Sequence, residues 1–199
     1  MQIQTATFEL SAPDFEGCPE SDLTEFAFIG RSNVGKSSLL NMLTRKKDLA
    51  VVSSKPGRTR LINFFLINRK WTLVDLPGYG YAKAAGHDRK KFQQIVTDYL
   101  LERPNLSCVF VLIDSRHSPQ RIDLEFTGWL AESGVPFVLV FTKSDKSKPG
   151  AIQANIEQFK EQMVEFFEGE PRIFICSSKT ESGRGDLLQF IDQALRAEG

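Results

Sequence analysis

The chain has 199 residues, 41% of them hydrophobic, with 25 basic and 25 acidic side chains and no net charge. That is the make-up of an ordinary globular protein, long enough to bury a substantial core and read most simply as one domain. No apolar run approaches the roughly 18–20 residues of a membrane span, and residues 1–10 lack the regions of a signal peptide, so membrane and secreted classes are excluded and the cytoplasm is expected.

Residues 1–22, with Pro13, Gly17 and Pro19, read as an extended arm over the body that contributes an edge strand around residues 3–8; residues 23–199 read as the domain itself. Beyond Glu25, apolar runs alternate with helical patterns. The first run, residues 26–29, leads into Gly30-Arg31-Ser32-Asn33-Val34-Gly35-Lys36-Ser37, which fits G-x-x-x-x-G-K-[ST], and a helix-like stretch begins at Ser38. Gly30 and Gly35 admit dihedrals closed to residues with a Cβ, so successive N–H groups can curl around a polyphosphate. The helix aims its positive end at the same anion. Lys36 supplies a mobile cation for the β- and γ-phosphates, and the Ser37 hydroxyl suits Mg²⁺. The plain alternative, a glycine turn with a chance lysine, is weakened by the flanking strand and helix.

The next segment contains Pro56-Gly57-Arg58-Thr59-Arg60. A Thr59 hydroxyl that completes Mg²⁺ coordination only when a γ-phosphate is present makes this loop a switch; standing alone, Thr59 is an ordinary loop threonine. The runs 61–67 and 71–74 are separated only by Asn68-Arg69-Lys70, too little for a parallel crossover, which predicts an antiparallel hairpin. Asp75-Leu76-Pro77-Gly78 follows. An aspartate ending a buried strand can reach a phosphate-bound Mg²⁺ through water, and the Gly78 amide can approach a γ-phosphate unobstructed.

Helical patterns are expected over 89–101, 122–132, 151–167 and 185–196, and further strands over 108–113, 137–141 and 173–176. Ile152, Ile156, Phe159, Met163, Phe166 and Phe167 make a buried helical stripe, read as core. Thr142-Lys143-Ser144-Asp145 ends one of these strands. Asp145 can accept from guanine N1–H and the exocyclic amine, a paired donor edge that adenine lacks. The Lys143 stem can lie along the base, and Ser177-Ser178-Lys179, after the last strand, can offer a backbone N–H to guanine O6. The order argues a three-layer α/β fold, mostly parallel with one antiparallel hairpin, with ligands at the carboxyl ends of the strands. Cys18, Cys108 and Cys176 lack metal-ligand spacing and read as free thiols, and His87 and His117 as solvated loop residues.

The set GRSNVGKS (30–37), Thr59, DLPGYGYAK (75–83), TKSD (142–145) and SSK (177–179) resembles the translation-factor-class GTPases, and most closely the EngB/YsxC/YihA group of bacterial ribosome-biogenesis GTPases. The resemblance runs from about residue 22 to the end, with Gly78 to Lys83 its most specific part. It implies a Ras-like P-loop GTPase fold, GTP/GDP and Mg²⁺ binding, and association with the large ribosomal subunit. Lys36, Thr59 and Gly78 are then the catalytic positions, and Ser37, Thr59 and, through water, Asp75 the metal positions. The nucleotide contacts fall on Gly30 to Ser38, Pro56 to Thr59, Asp75 to Gly78, Thr142 to Asp145 and Ser177 to Lys179. Thr142 replaces the commoner asparagine, at a position that supports the loop rather than reading the base.

Ras-like GTPases place a water-orienting glutamine after the Asp-x-x-Gly glycine; here Tyr79 stands there, which predicts slow intrinsic turnover accelerated by a partner. Asn33 fits either K⁺ ligation in place of an arginine finger or a structural loop role, with Arg31 or Arg58 the alternative cations. From Arg45 to Lys91 there are twelve basic and three acidic residues, leaving thirteen and twenty-two elsewhere. Lys46, Lys47, Lys55, Arg58, Arg60, Lys83, Arg89, Lys90 and Lys91 fall in or beside the expected switches. That pattern suits a ribosomal-RNA partner sensing nucleotide state, or simply a solvated face. A P-loop small-molecule kinase lacks a recognisable lid here, and a regulatory switch for a non-ribosomal protein partner lacks a lipidation cysteine. The leading expectation is a monomeric, ribosome-directed GTPase.

Overall fold

The computed structural model describes residues 1–50, 61–79, 86–169 and 171–197, the side chains of 86–92 excepted. Seven strands form one sheet in the order β1-β3-β4-β2-β5-β6-β7. They are β1 (Ala6–Ala12), β2 (Glu25–Gly30), β3 (Ile62–Ile67), β4 (Trp71–Asp75), β5 (Leu106–Asp114), β6 (Phe137–Thr142) and β7 (Ile173–Ile175). The helices are α1 (Lys36–Thr44), α2 (Gly86–Glu102), α3 (Arg121–Glu132), α4 (Pro149–Met163) and α5 (Arg184–Ala197), with a 3₁₀ turn over Ser144–Lys146. The expected mixed α/β fold and its antiparallel β3–β4 hairpin are present. A second antiparallel pairing joins β1 to β3, so the N-terminal arm is an edge strand, placed over Ala6–Ala12 rather than 3–8.

Every residue of β2 and β4 is buried, because both faces of the sheet are covered. The two faces are nonetheless distinct. Phe26 and Phe28 of β2 pack with Leu39, Leu43, Trp71, Leu187 and Ile191 beneath α1 and α5. The alternate residues Ala27 and Ile29 pack with Tyr99, Leu130, Phe159 and Met163 beneath α2, α3 and α4. Period two thus operates inside an unbroken apolar run.

Three expectations need correction. α4 stops at Met163, where the Phe166 and Phe167 amides both turn back to the Met163 carbonyl; both rings still pack on the core. β7 stops at Ile175, and His87 lies in α2 rather than a loop. Among the described residues the thiols are unpaired, and burial pushes Cys108 and Cys176 up to about 12.

β2 pairs in parallel with β4 on one side and β5 on the other. The chain winds outward in both directions from this strand. Loops leaving the carboxyl ends of β2, β4, β5 and β6 therefore converge on a single crevice.

Candidate functional site

β2 ends at Gly30, and the chain turns into α1 through Asn33 (φ 65°) and Gly35 (φ 102°), both in the left-handed region. A Cβ on Gly30 would lie 2.9 Å from the Leu112 carbonyl oxygen, inside the backbone of β5. α1 has no side-chain cap at Gly35 and no acidic residue in its first turn, so its own side chains do not neutralise the positive end of the helix. Ser37 and Ser38 lie half-buried in that first turn, while Ser32 and Asn33 are exposed.

The loop after β4 closes directly on this turn. The Leu76 amide donates to the Phe28 carbonyl at 3.0 Å, Leu76 and Pro77 are buried, and a Cβ on Gly78 would sit 2.6 Å from the Gly30 carbonyl oxygen. Only glycine permits that approach. Lys36 Nζ donates to Asp75 Oδ1, and the two side chains are 11% and 4% exposed, so a cation and a carboxylate face each other in the crevice. Ser37 and Asp75 offer the hard oxygen donors Mg²⁺ prefers. Among the described residues no three His, Cys, Asp or Glu side chains cluster as a metal site, so phosphate and water oxygens would complete its shell. Pro56, Gly57, Arg58 and Thr59 lie outside the described residues.

The segment after β6 is fastened to the same turn. Thr142 Oγ1 donates to the Val34 carbonyl at 2.6 Å and to the Ile113 carbonyl at 3.2 Å. Lys143, left-handed at φ 60°, donates through Nζ to the Asn33 carbonyl at 2.6 Å and to Asp114 Oδ2 at 2.8 Å. Ser177 Oγ donates to Asp145 Oδ1 at 2.7 Å while accepting from the Lys179 and Thr180 amides at 3.2 Å each. That hydroxyl bond holds the Asp145 carboxyl below its ordinary range. The Ser144 amide donates to the Cys176 carbonyl, 3.2 Å away, tying the two loops together, and Ser178 and Lys179 are exposed beside them.

Sequence reasoning missed two carboxylates. Asp114, at the end of β5, accepts from Arg116 Nε at 2.9 Å and Nη2 at 2.7 Å as well as from Lys143. Burial pushes its carboxyl up, but the hydrogen bonds from Arg116 and Lys143 outweigh it and hold the group well below the usual carboxylate range. Its place after an apolar strand, like that of Asp75, was the available signal. Asp123 in the first turn of α3 is fully buried; it accepts from Arg31 Nε at 3.0 and 3.1 Å and from the Tyr79 hydroxyl at 2.9 Å. Burial pushes its carboxyl up, with Arg31 and Tyr79 opposing. Nothing in the linear sequence marks it. Arg31 Nε thus ties the phosphate turn to α3.

A family model described as 50S ribosome-binding GTPase matches residues 25–143. A probable GTP-binding protein EngB from Christiangramia forsetii is 53% identical over 192 residues, covering 96% of this chain and 97% of its own length. One from Phocaeicola vulgatus is 50% identical over 197 residues, covering 99% and 98%. Among solved structures, a probable GTP-binding protein engB superposes with a TM-score of 0.71 at 24% identity, over 87% of this chain and all of the other. Era, in complex with MgGDPNP and a 16S ribosomal RNA fragment, gives 0.67 at 22% identity over 86% of this chain and 56% of its own.

Proposed function

Because the chain belongs to the EngB family of GTP-binding proteins and is accordingly a GTPase, we propose that it acts as a nucleotide-dependent assembly factor for the large ribosomal subunit. Its output is timed binding rather than fast turnover. The observation that best supports the nucleotide part is the joint between Thr142 Oγ1 and the Val34 carbonyl, at 2.6 Å, which fixes the segment bearing Asp145 to the turn bearing Lys36. The ribosomal part is supported by the 50S ribosome-binding description of the matching family.

In this reading the amides of Gly30 to Ser38 cradle the phosphates, and Lys36 neutralises the β- and γ-oxygens. Ser37 and Asp75 would hold Mg²⁺, which would supply further positive charge at the phosphates, and Thr59, expected to join them, lies outside the described residues. Asp145, held by Ser177, accepts from the guanine edge, and Lys143 lies under the base. Tyr79 stands in place of the water-orienting glutamine, and a phenol cannot both accept from the water and donate to the phosphate as that amide does, so intrinsic hydrolysis is slow until a partner orders that loop. For Asn33 the left-handed backbone, φ 65°, and the bond from Lys143 to its carbonyl support a loop role, while its exposed side-chain amide oxygen stays available to K⁺. Faster turnover in K⁺ than in Na⁺ would assign Asn33 to the ion, and equal turnover would assign it to the loop.

Of the basic residues expected at the ribosomal contact, Lys46 and Lys47 follow α1 and are exposed, with Lys46 Nζ donating to the Ala6 carbonyl at the end of the sheet remote from the crevice. Lys55, Arg58, Arg60 and Lys83 lie outside the described residues, as do the side chains of Arg89, Lys90 and Lys91. Among the described residues no helix is long and apolar enough to cross a membrane.

The test is co-sedimentation with ribosomal subunits in GDP, in a non-hydrolysable GTP analogue and without nucleotide, each across a salt series. Binding should favour the analogue and the large subunit and weaken steeply with salt, as phosphate contacts require. Binding indifferent to nucleotide and salt would overturn the assembly reading. A guanine preference absent in competition with adenine nucleotides would overturn the role of Asp145.

A further inference from the structure

Asp123 belongs to none of the loops that carry nucleotide-binding motifs, yet it touches two of them. A carboxylate removed from water has to find donors or give up its charge. This one finds Arg31, in the phosphate turn, and Tyr79, the residue after Gly78. The Tyr79 ring also stacks on Phe126 of α3, with centroids 4.2 Å apart and planes 20° from parallel. Phe126 in turn lies 5.9 Å from Trp129. Tyr79 is therefore held by a hydrogen bond at its tip and by a ring along its length. Gly78, its neighbour, lies so close to the Gly30 carbonyl that only glycine fits. Fixing Tyr79 and Arg31 thus fixes the Gly78 amide relative to the phosphate turn.

We infer that Asp123 is a positioning residue that sets the Gly78 amide for a γ-phosphate and thereby sets the preference of the site for GTP over GDP. This rests on the reading of Gly78 as a γ-phosphate contact. GDP does not call on Gly78. Its phosphates face the turn from Gly30 to Ser37, which has independent supports in Thr142 and Lys143 at the Val34 and Asn33 carbonyls. Disturbing Asp123 therefore acts on the triphosphate complex and spares the diphosphate one. A merely structural carboxylate, holding α3 to the sheet, would lower both affinities together.

The experiment compares Asp123→Asn and Tyr79→Phe with the unaltered protein, all as the full chain. It measures affinities for GDP and a non-hydrolysable GTP analogue, single-turnover hydrolysis, and tryptophan emission. Trp71 opens β4 at the end away from Gly78, whereas Trp129 adjoins the Tyr79–Phe126 stack, so nucleotide-dependent emission reports Trp129. Asp123→Asn should weaken the analogue and slow hydrolysis by about tenfold, leave GDP within about threefold, and erase the emission difference between the two nucleotides. Tyr79→Phe, which keeps the stack and loses the hydrogen bond, should show a smaller loss of the same kind; it decides the matter if Asp123→Asn does not fold. The Gly78 amide of the unaltered chain tests the underlying reading separately, since its ¹⁵N chemical shift should move with the analogue and not with GDP. If it does not, the role of Gly78 falls. If it does, while Asp123→Asn or Tyr79→Phe moves both nucleotides equally or neither, the positioning role of Asp123 is overturned.

Discussion

Thr142 shows how a departure from a common pattern is absorbed. Its hydroxyl reaches the Val34 and Ile113 carbonyls at 2.6 and 3.2 Å, so the shorter side chain still braces the phosphate turn. Thr142→Val keeps the shape and removes the donor, leaving the Val34 carbonyl short of a partner; it should cost about 1 kcal/mol in urea denaturation. Asp114 makes a prediction about pH. Its carboxyl titrates lower in the folded protein than the roughly 3.9 of an unfolded chain, so its pairing with Arg116 and Lys143 adds stability that is full above that value. That contribution is lost as pH falls through the folded value. The stability gap between the native protein and Asp114→Asn should be widest near neutrality and close progressively in acid denaturation curves taken below about pH 4.

At the level of elements, the end of β2 remote from the crevice is held by a buried clasp. Glu25 accepts from Arg103 Nε at 3.1 and 2.9 Å, from Arg103 Nη2 at 2.6 Å and from the Tyr99 hydroxyl at 2.7 Å, tying α2 to the central strand. Arg103 Nη2 also donates to the Pro19 carbonyl at 2.7 Å, so the same side chain pins the N-terminal arm. Arg103→Ala strands a buried carboxylate and should cost about 3 kcal/mol of unfolding free energy. GDP affinity should stay within about twofold, because Gly30 lies at the opposite end of the strand. Helices and inner strands were legible in the sequence because burial on both faces leaves unbroken apolar runs and clear helical stripes. β1 was less so. It is an edge strand with exposed positions and a register shift between Phe8 and Leu10, which spoils the alternation a reader would look for. Lys36, Asp75 and Asp145 could be read from the chain because each follows a strand end within a recognisable motif. Asp123 could not, since its partners Arg31 and Tyr79 are 92 and 44 residues away and only the topology brings them together.

For the molecule as a whole, function depends on β2 lying between β4 and β5, which collects the turns at one rim. A ligand that binds only this assembled rim stabilises the entire fold. GDP at a hundred times its dissociation constant should add about 2.7 kcal/mol to the unfolding free energy, visible as a rise in thermal midpoint, and ADP at the same concentration should add far less. Lys143 gives this arrangement a further consequence. Its ammonium bridges the Asn33 carbonyl and Asp114 while its backbone leads straight to Asp145, so the purine end and the phosphate end hang from one hinge pin. Lys143→Met should therefore loosen both ends at once, read as a faster release of GDP.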